Sequence, residues 1–155
     1  MRIALYDPDI PQNTGAIIRL ASCFDIGVDI IEPCGFVFSS RRMKRSGMDY
    51  IDRVDIKLYS SWEKFYELYN VNIKNRIILL TTKGNISHTK FSYNTDDVLL
   101  LGRESAGVPD AVHLAVNSRI IVPIVTEARS LNIVTSAAMV AQANQLTSIA
   151  LTVLG

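Results

Sequence analysis

The chain has 155 residues, of which 48% are hydrophobic and 20% charged, with a formal net charge of +1. That length suits one domain around one buried core, and the balance excludes a disordered or collagen-like chain. A net charge so near zero decides nothing about nucleic-acid partners, which respond to local clustering of basic residues rather than to their sum.

The opening MRIALYDPD has no long apolar stretch after its basic residue, so no signal peptide is expected. Residues 2–6 (RIALY) predict a strand. A helix is predicted from Asn13, a plausible N-cap, to Phe24, with Ile17, Leu20, Ala21 and Phe24 on one face and Gly27 closing it. Cys23 falls within this apolar pattern and reads as a small core residue. VDIIE at 28–32 predicts a second strand, stopped by Pro33 and Gly35. Arg41, Arg42, Lys44 and Arg45 then crowd into five positions, flanked by Phe38, Met43 and Met48. Such a run is either a solvated face or a phosphate contact.

Val54, Ile56 and Leu58 alternate with charged residues, as in a strand with one wet face, whereas Trp62, Phe65, Tyr66 and Tyr69 recur at helical spacing and read as core. Three apolar runs follow, RIILLTT at 76–82, DVLLLG at 97–102 and RIIVPI at 119–124, with the look of buried parallel strands. A short helix near Pro109–Val116 separates the last two, and a long one follows Ser130. Residues 1–155 thus predict a single α/β domain: an open, mostly parallel sheet with helices on both faces. From Leu131 to Gly155 no residue is charged, but Asn132, Gln142, Asn144 and Gln145 interrupt the run. Such side chains are costly in lipid, so a buried or interface helix is expected, not a membrane span.

In open α/β sheets, ligands bind beyond the carboxyl ends of the strands. Three strand ends lead into unusual loops: Leu80 into TTKGN, Gly102 into RESAGVP, and Val122 into PIVTEARSLN. Gly102 and Gly107 would let backbone approach a ligand, or would serve turn geometry alone. Neither the dinucleotide glycine fingerprint nor a P-loop occurs. What remains is a set of polar groups, Asn13, Arg19, Glu104, Arg129, Ser130 and Asn132, each of which could equally be a helix cap or a surface ion pair. Cys23 and Cys34 have no metal-type spacing, His88 and His113 have no evident partners, and neither a metal centre nor a disulfide is expected. A reducing, cytoplasmic setting fits best.

Taken together, IPQNTGAIIR, with Asn13 and Arg19 six positions apart, LLLGRESAGVP and VPIVTEARSLN resemble the three motifs of the SPOUT superfamily of RNA methyltransferases. LYDPDIPQNTGAIIRL, IIEPCGF, RRMKRSGMDY, TTKG and RSLN are similar, over nearly the whole chain, to the subfamily that methylates the wobble ribose of tRNA. The resemblance implies a C-terminal deep trefoil knot, an exception to the rule that chains do not thread loops. It also implies S-adenosylmethionine held by Leu80, Gly102, Val122, Ser130 and Leu131, and a catalytic set of Arg19, Asn13, Glu104, Ser130 and Asn132. Arg19 would serve the ribose hydroxyl, more easily by fixing phosphate and alkoxide charge than as a base, since guanidinium keeps its proton. Asn13 and Glu104 would orient Arg19 or the RNA backbone, and Ser130 and Asn132 would shape the cofactor loop.

Without an appended RNA-binding domain, the RNA would be gripped by Arg41, Arg42, Lys44 and Arg45. The expected substrate is a tRNA anticodon stem-loop, with ribosomal RNA or a non-catalytic RNA-binding module as alternatives. Where close relatives carry a bulky aromatic residue in the closing helix this chain has Gln142, which bears on subunit contact and tRNA affinity. A homodimer is expected, built on the closing helix with Ser136, Ala137, Ala138 and Ala141 as its small-residue surface and Ile133, Val140 and Ile149 adding apolar area. The first helix is the second half of that interface.

Overall fold

A computed structural model describes residues 1–39, 41, 44, 49–70 and 75–154, the side chains of 49 and 146–154 excepted. Strand β1 (Arg2–Tyr6) is followed by helix α1 (Pro11–Phe24), strand β2 (Gly27–Ile31), a 3₁₀ helix (Asp49–Arg53), β3 (Ile56–Tyr59) and α2 (Trp62–Asn70). The second half comprises β4 (Ile77–Leu80), β5 (Ile86–Ser87), β6 (Val98–Leu101), α3 (Asp110–Ala115), β7 (Ser118–Ile121) and α4 (Ile133–Leu154). The strands form one sheet in the order β3-β2-β1-β6-β4-β7-β5, and every recorded pairing is parallel. The chain runs outward from β1 to β3 and then crosses to the other side, so strand order reverses between β1 and β6. A crevice opens at such a reversal.

Alternation along the strands feeds two cores. Ile3, Leu5, Ile30, Leu99, Leu101 and Ile120 face Ile17, Ile18 and Ala21 of α1 and Ala137 and Val140 of α4. Ala4, Ile31, Ile77, Leu79, Val98 and Leu100 face Phe65 and Tyr69 of α2 and Val112 of α3. Helices therefore cover both faces, and the central strands read as unbroken apolar runs because neither side is wet. The aromatic stripe is core, as its spacing predicts: Phe65 stands 4.7 Å from Tyr69 and 5.3 Å from Tyr59, ring centre to ring centre.

Two buried carboxylates tie strand ends together. Asp29 of β2 accepts from Arg2 at 2.7 Å and from the Tyr69 hydroxyl at 2.8 Å. Asp97 takes Arg76 at 2.7 Å while the Arg76 guanidinium lies over Phe91. A buried charge is costly unless paired and hydrogen-bonded, and both are.

The boundaries differ from expectation where local chemistry overrides spacing. Helix α1 begins at Pro11, whose fixed φ suits the first turn, so Asn13 lies inside the helix and Ile10 makes no side-chain cap. Asp25, in left-handed geometry with φ 53°, ends the helix, and Gly27 opens β2 instead of closing α1. Cys23 is exposed and not core. Leu58 is 54% exposed on the edge strand β3, so the predicted dry face of 54–58 exists only in part. The two-residue β5 has too little sequence to show periodicity. On α4, Ala137, Val140 and Ala141 are buried in the chain's own core, which removes them from any surface offered to a second copy. Ile149 lies outside the described side chains.

Removing the largest fully buried side chain should show how far the sheet depends on α2. Phe65→Ala is expected to lower unfolding free energy by about 3–5 kcal/mol, measured as the urea midpoint at constant slope.

Candidate active site

The carboxyl ends of β4, β6 and β7 open into one cavity of about 550 Å³, closed on one side by the start of α1 and on another by the segment leading into α4. Leu80, Gly102, Val122, Ser130 and Leu131, expected from sequence to hold a cofactor, all line it. So do Asn13, Glu104 and Asn132. Thr81, Thr82, Lys83 and Ile124 also line it, as does His113. The first four sit on loops already singled out, but His113 arrives from α3, and no spacing in the sequence links it to those loops.

The loop after β6 closes on itself: Arg103 N–H donates to Gly107 C=O at 3.0 Å and Gly107 N–H returns to Arg103 C=O at 2.7 Å. Gly107 has φ +69°, which a residue with Cβ rarely adopts, yet a Cβ there would meet nothing within 4 Å. Gly102 is the opposite case. A Cβ on it would come within 2.8 Å of the Gly107 backbone, so a side chain at 102 would deform this loop rather than enter the cavity. Arg103 pairs with Asp7 at 2.6 Å and so ties the loop to the end of β1.

A chain of polar contacts crosses the cavity wall. Asp9 N–H donates to Glu104 Oε2 at 3.1 Å, and Asn13 Nδ2 donates to Glu104 Oε1 at 3.3 Å. Asn132 Nδ2 donates to Asn13 Oδ1 at 3.4 Å. The Asn132 Oδ1 meanwhile accepts from the backbone N–H of Val134 at 2.8 Å and of Thr135 at 3.4 Å, capping α4. The capping and site readings of Asn132 are thus both realised. Ser105 Oγ donates to Asp9 Oδ2. Burial, and then the side-chain bond to the Asp9 carboxyl, pushes the Glu104 carboxyl up although the Asp9 N–H pulls it back, while that side-chain bond holds Asp9 down. Glu104 is therefore the weaker acid of the pair. Burial pushes the Cys34 thiol up to about 11, so it is no nucleophile near neutral pH.

Arg19 is exposed and does not line the cavity. Six residues beyond Asn13, it lies about 9 Å further along the helix axis and roughly 240° around it. The structure therefore brings together every expected site residue of this region except Arg19. Arg41 and Lys44 are exposed, with Lys44 paired to Asp52 at 2.5 Å, while Arg42 and Arg45 lie outside the described residues. Among the described residues no group of three or more His, Cys, Asp or Glu could hold a metal ion.

A model of the SpoU rRNA methylase family matches residues 1–142, and the chain belongs to that family. It is 45% identical over 138 residues to a tRNA (cytidine(34)-2′-O)-methyltransferase of Beijerinckia indica, covering 89% of this chain and 86% of the relative. The Escherichia coli K12 protein of the same name is 36% identical over 135 residues, covering 86% and 84%. A solved structure described as bearing on the 2-OH methylation of C/U34 on tRNA superposes with a TM-score of 0.87 at 32% identity, covering 96% of each chain. The fold is shared further, with a TM-score of 0.86 at 19% identity, by the SpoU methyltransferase AviRb of Streptomyces viridochromogenes, solved with AdoMet; the match covers 97% of this chain and 61% of that one.

Two outcomes follow from the loop geometry and the carboxyl pair. Gly107→Ala should cost about 1 kcal/mol from backbone conformation alone, and Gly102→Ala more, because it must also displace the loop; urea unfolding compares them. Since the folded state holds the Glu104 proton more tightly than an unfolded glutamate at 4.5, its stabilisation is complete below that pH and is lost as pH rises through the higher folded value. Asp9 slopes the other way, only below its ordinary 3.8. Glu104→Gln should therefore flatten the fall in stability above pH 4.5, read from urea midpoints across the acid range.

Proposed function

We propose that this chain transfers a methyl group from S-adenosylmethionine to the 2′-hydroxyl of the wobble ribose of tRNA, at cytidine or a modified uridine. The observation that carries the reading is the convergence of three loops and Asn13 on one cavity; the names of the relatives point to the same reaction. The cavity suits the donor. Its volume is that of a small-molecule site, Leu80, Val122, Ile124 and Leu131 supply apolar walls for a flat base, and the 102–107 and 129–132 loops supply backbone polar groups. Bound there, S-adenosylmethionine supplies an electrophilic methyl on sulfonium sulfur. Glu104 and Asn13 hold the first helix against the cofactor loop, and Asn132 fixes the start of α4.

Arg19 completes the site from a second copy. On one chain it faces away from the cavity, and its guanidinium is suited to clamp the phosphate beside the reacting ribose and to stabilise alkoxide charge as the hydroxyl loses its proton. The surface available to a second copy is uncharged apart from Arg19: Gln12, Arg19 and Cys23 are exposed on α1, and Thr135, Met139 and Gln142 on α4. α1 packs on α4 within the chain, and on each helix these exposed residues recur at helical spacing, with Ser136 and Ala138 half-buried. Residues 1–155 act as a single catalytic domain, a reading supported by the one continuous sheet. The knot belongs to the same reading, supported by the placement of β4 between β6 and β7. The RNA grip rests on the segment carrying Arg41, Arg42, Lys44 and Arg45. Among the described residues no helix is long and apolar enough to cross a membrane, in keeping with a cytoplasmic location.

Ribosomal RNA is the second substrate class, favoured by the description of the matching family. Methyl transfer from labelled donor to purified tRNA and to ribosomal RNA, with the product nucleoside identified by mass spectrometry, decides between them: a 2′-O-methyl wobble nucleoside is expected. Arg19→Ala should lower turnover by about 10²–10³ with donor binding by calorimetry unchanged. Arg19→Lys should also be poor, because a point charge does not reproduce the guanidinium fork. Mixing Arg19→Ala with Gly102→Val subunits should restore part of the activity neither has alone, and a fully active monomer in sedimentation would refute the shared site.

A further inference from the structure

Arg19 is a long side chain whose free rotation costs entropy whenever it must be held in one place. None of the ion pairs among the described residues involves it. What it does meet is a ring: the Arg19 guanidinium carbon stands 5.9 Å from the centroid of Tyr50. That is within the distance at which a cation is attracted to an aromatic face. Tyr50 is itself held. It packs against the core that contains Ile17, Ile18 and Ala21, and the 3₁₀ helix carrying it is pinned by Ile51 and Val54, 4% and 9% exposed. Two residues further on, Asp52 of the same 3₁₀ helix pairs with Lys44 at 2.5 Å. One short element therefore meets both the arginine on α1 and a lysine of the basic segment.

We infer that Tyr50 is a positioning residue for Arg19: its ring face holds the guanidinium at a set height and direction off α1, and the same 3₁₀ helix holds Lys44 through Asp52. The inference rests on the reading of Arg19 as the group that serves the ribose and its phosphate. Given that reading, the ring face supplies order without competing for the hydrogen-bond donors of the guanidinium, which a carboxylate partner would occupy. None of the ion pairs among the described residues takes those donors. Seating RNA on Lys44 acts, through Asp52, on the element that aims Arg19, so substrate grip and arginine placement are mechanically joined.

The test is a double-mutant cycle on methyl transfer to a tRNA transcript, using single-turnover rates so that slow variants remain measurable. Tyr50→Leu in the otherwise native chain should lower the transfer rate about two- to five-fold, the range an exposed cation–ring contact is worth, with S-adenosylmethionine binding unchanged. Tyr50→Phe, which keeps the ring face, should restore the rate. In the Arg19→Ala background Tyr50→Leu should have no further effect. Equal losses in both backgrounds would mean that Tyr50 only supports the fold, and would overturn the inference. An unaffected Tyr50→Leu beside a crippled Arg19→Ala would overturn it while leaving the reading of Arg19 in place, whereas a fully active Arg19→Ala would remove both. Proton NMR of the unsubstituted protein gives an answer independent of whether Tyr50→Leu folds. The Arg19 δ protons should be displaced upfield by the ring, and ordinary arginine shifts would refute the contact.

Discussion

The two oxygens of Glu104 accept from two different parts of the chain, the backbone N–H of Asp9 after β1 and the side chain of Asn13 on α1. Everything that makes the cavity a site depends on this contact. It holds the first helix against the loop after β6 across the line where strand order reverses, and it turns Asn13 so that its remaining oxygen can receive Asn132. A carboxylate at a site for polyanionic RNA would be repelled if left ionised and unpaired. Burial pushes its pKa up, while the N–H of Asp9 and the amide of Asn13 pull the other way, so both oxygens are occupied by donors and neither is turned bare toward RNA.

The parallel sheet explains why such a clamp is needed. Parallel strands deliver their carboxyl ends to one edge, so β4, β6 and β7 release their loops side by side, but nothing in the ladder fixes where those loops go next. Apolar burial on both faces secures the strands and leaves the loops to be ordered by polar contacts of moderate strength. Arg103 with Asp7, the closed 103–107 turn and the Asn132 cap do this one loop at a time. The site is thus polar ordering built on an apolar platform, and the two can be perturbed separately.

Much of this was legible in the sequence. Runs such as VLLL at 98–101 have no wet face, and that alone marks a central parallel strand. The aromatic spacing from Trp62 to Tyr69 marks α2, and the glycine and polar content of 102–107 and 129–132 marks the loops that line the cavity. What stayed hidden has physical causes. Periodicity reports that a face is apolar, not what covers it, so Ala137 and Ala141 read as an intersubunit surface although the chain's own sheet buries them, and Cys23 read as core although it faces outward. Helix phase, not proximity in sequence, separates Arg19 from the cavity that Asn13 lines. Tyr50 sits in a five-residue 3₁₀ helix, too short to carry a period, and its relation to Arg19 depends on a contact between residues thirty-one apart that no local pattern encodes.

Asn132 meets Asn13 across 119 positions of sequence, and Asn132 is also the residue that starts α4. A chain emerging from the ribosome can lay down β1, α1 and β2 early, yet the cavity acquires its last wall only after the polypeptide has been made nearly to its end. Contacts of such span are slow to form because loop closure must be met before they repay it. The core under α1 also waits for Ala137 and Val140 of α4, so the platform and the wall of the cavity are completed by the same late segment. The last wall of the cavity and the last layer of the core thus share one stretch of chain, so the site and the fold are completed together.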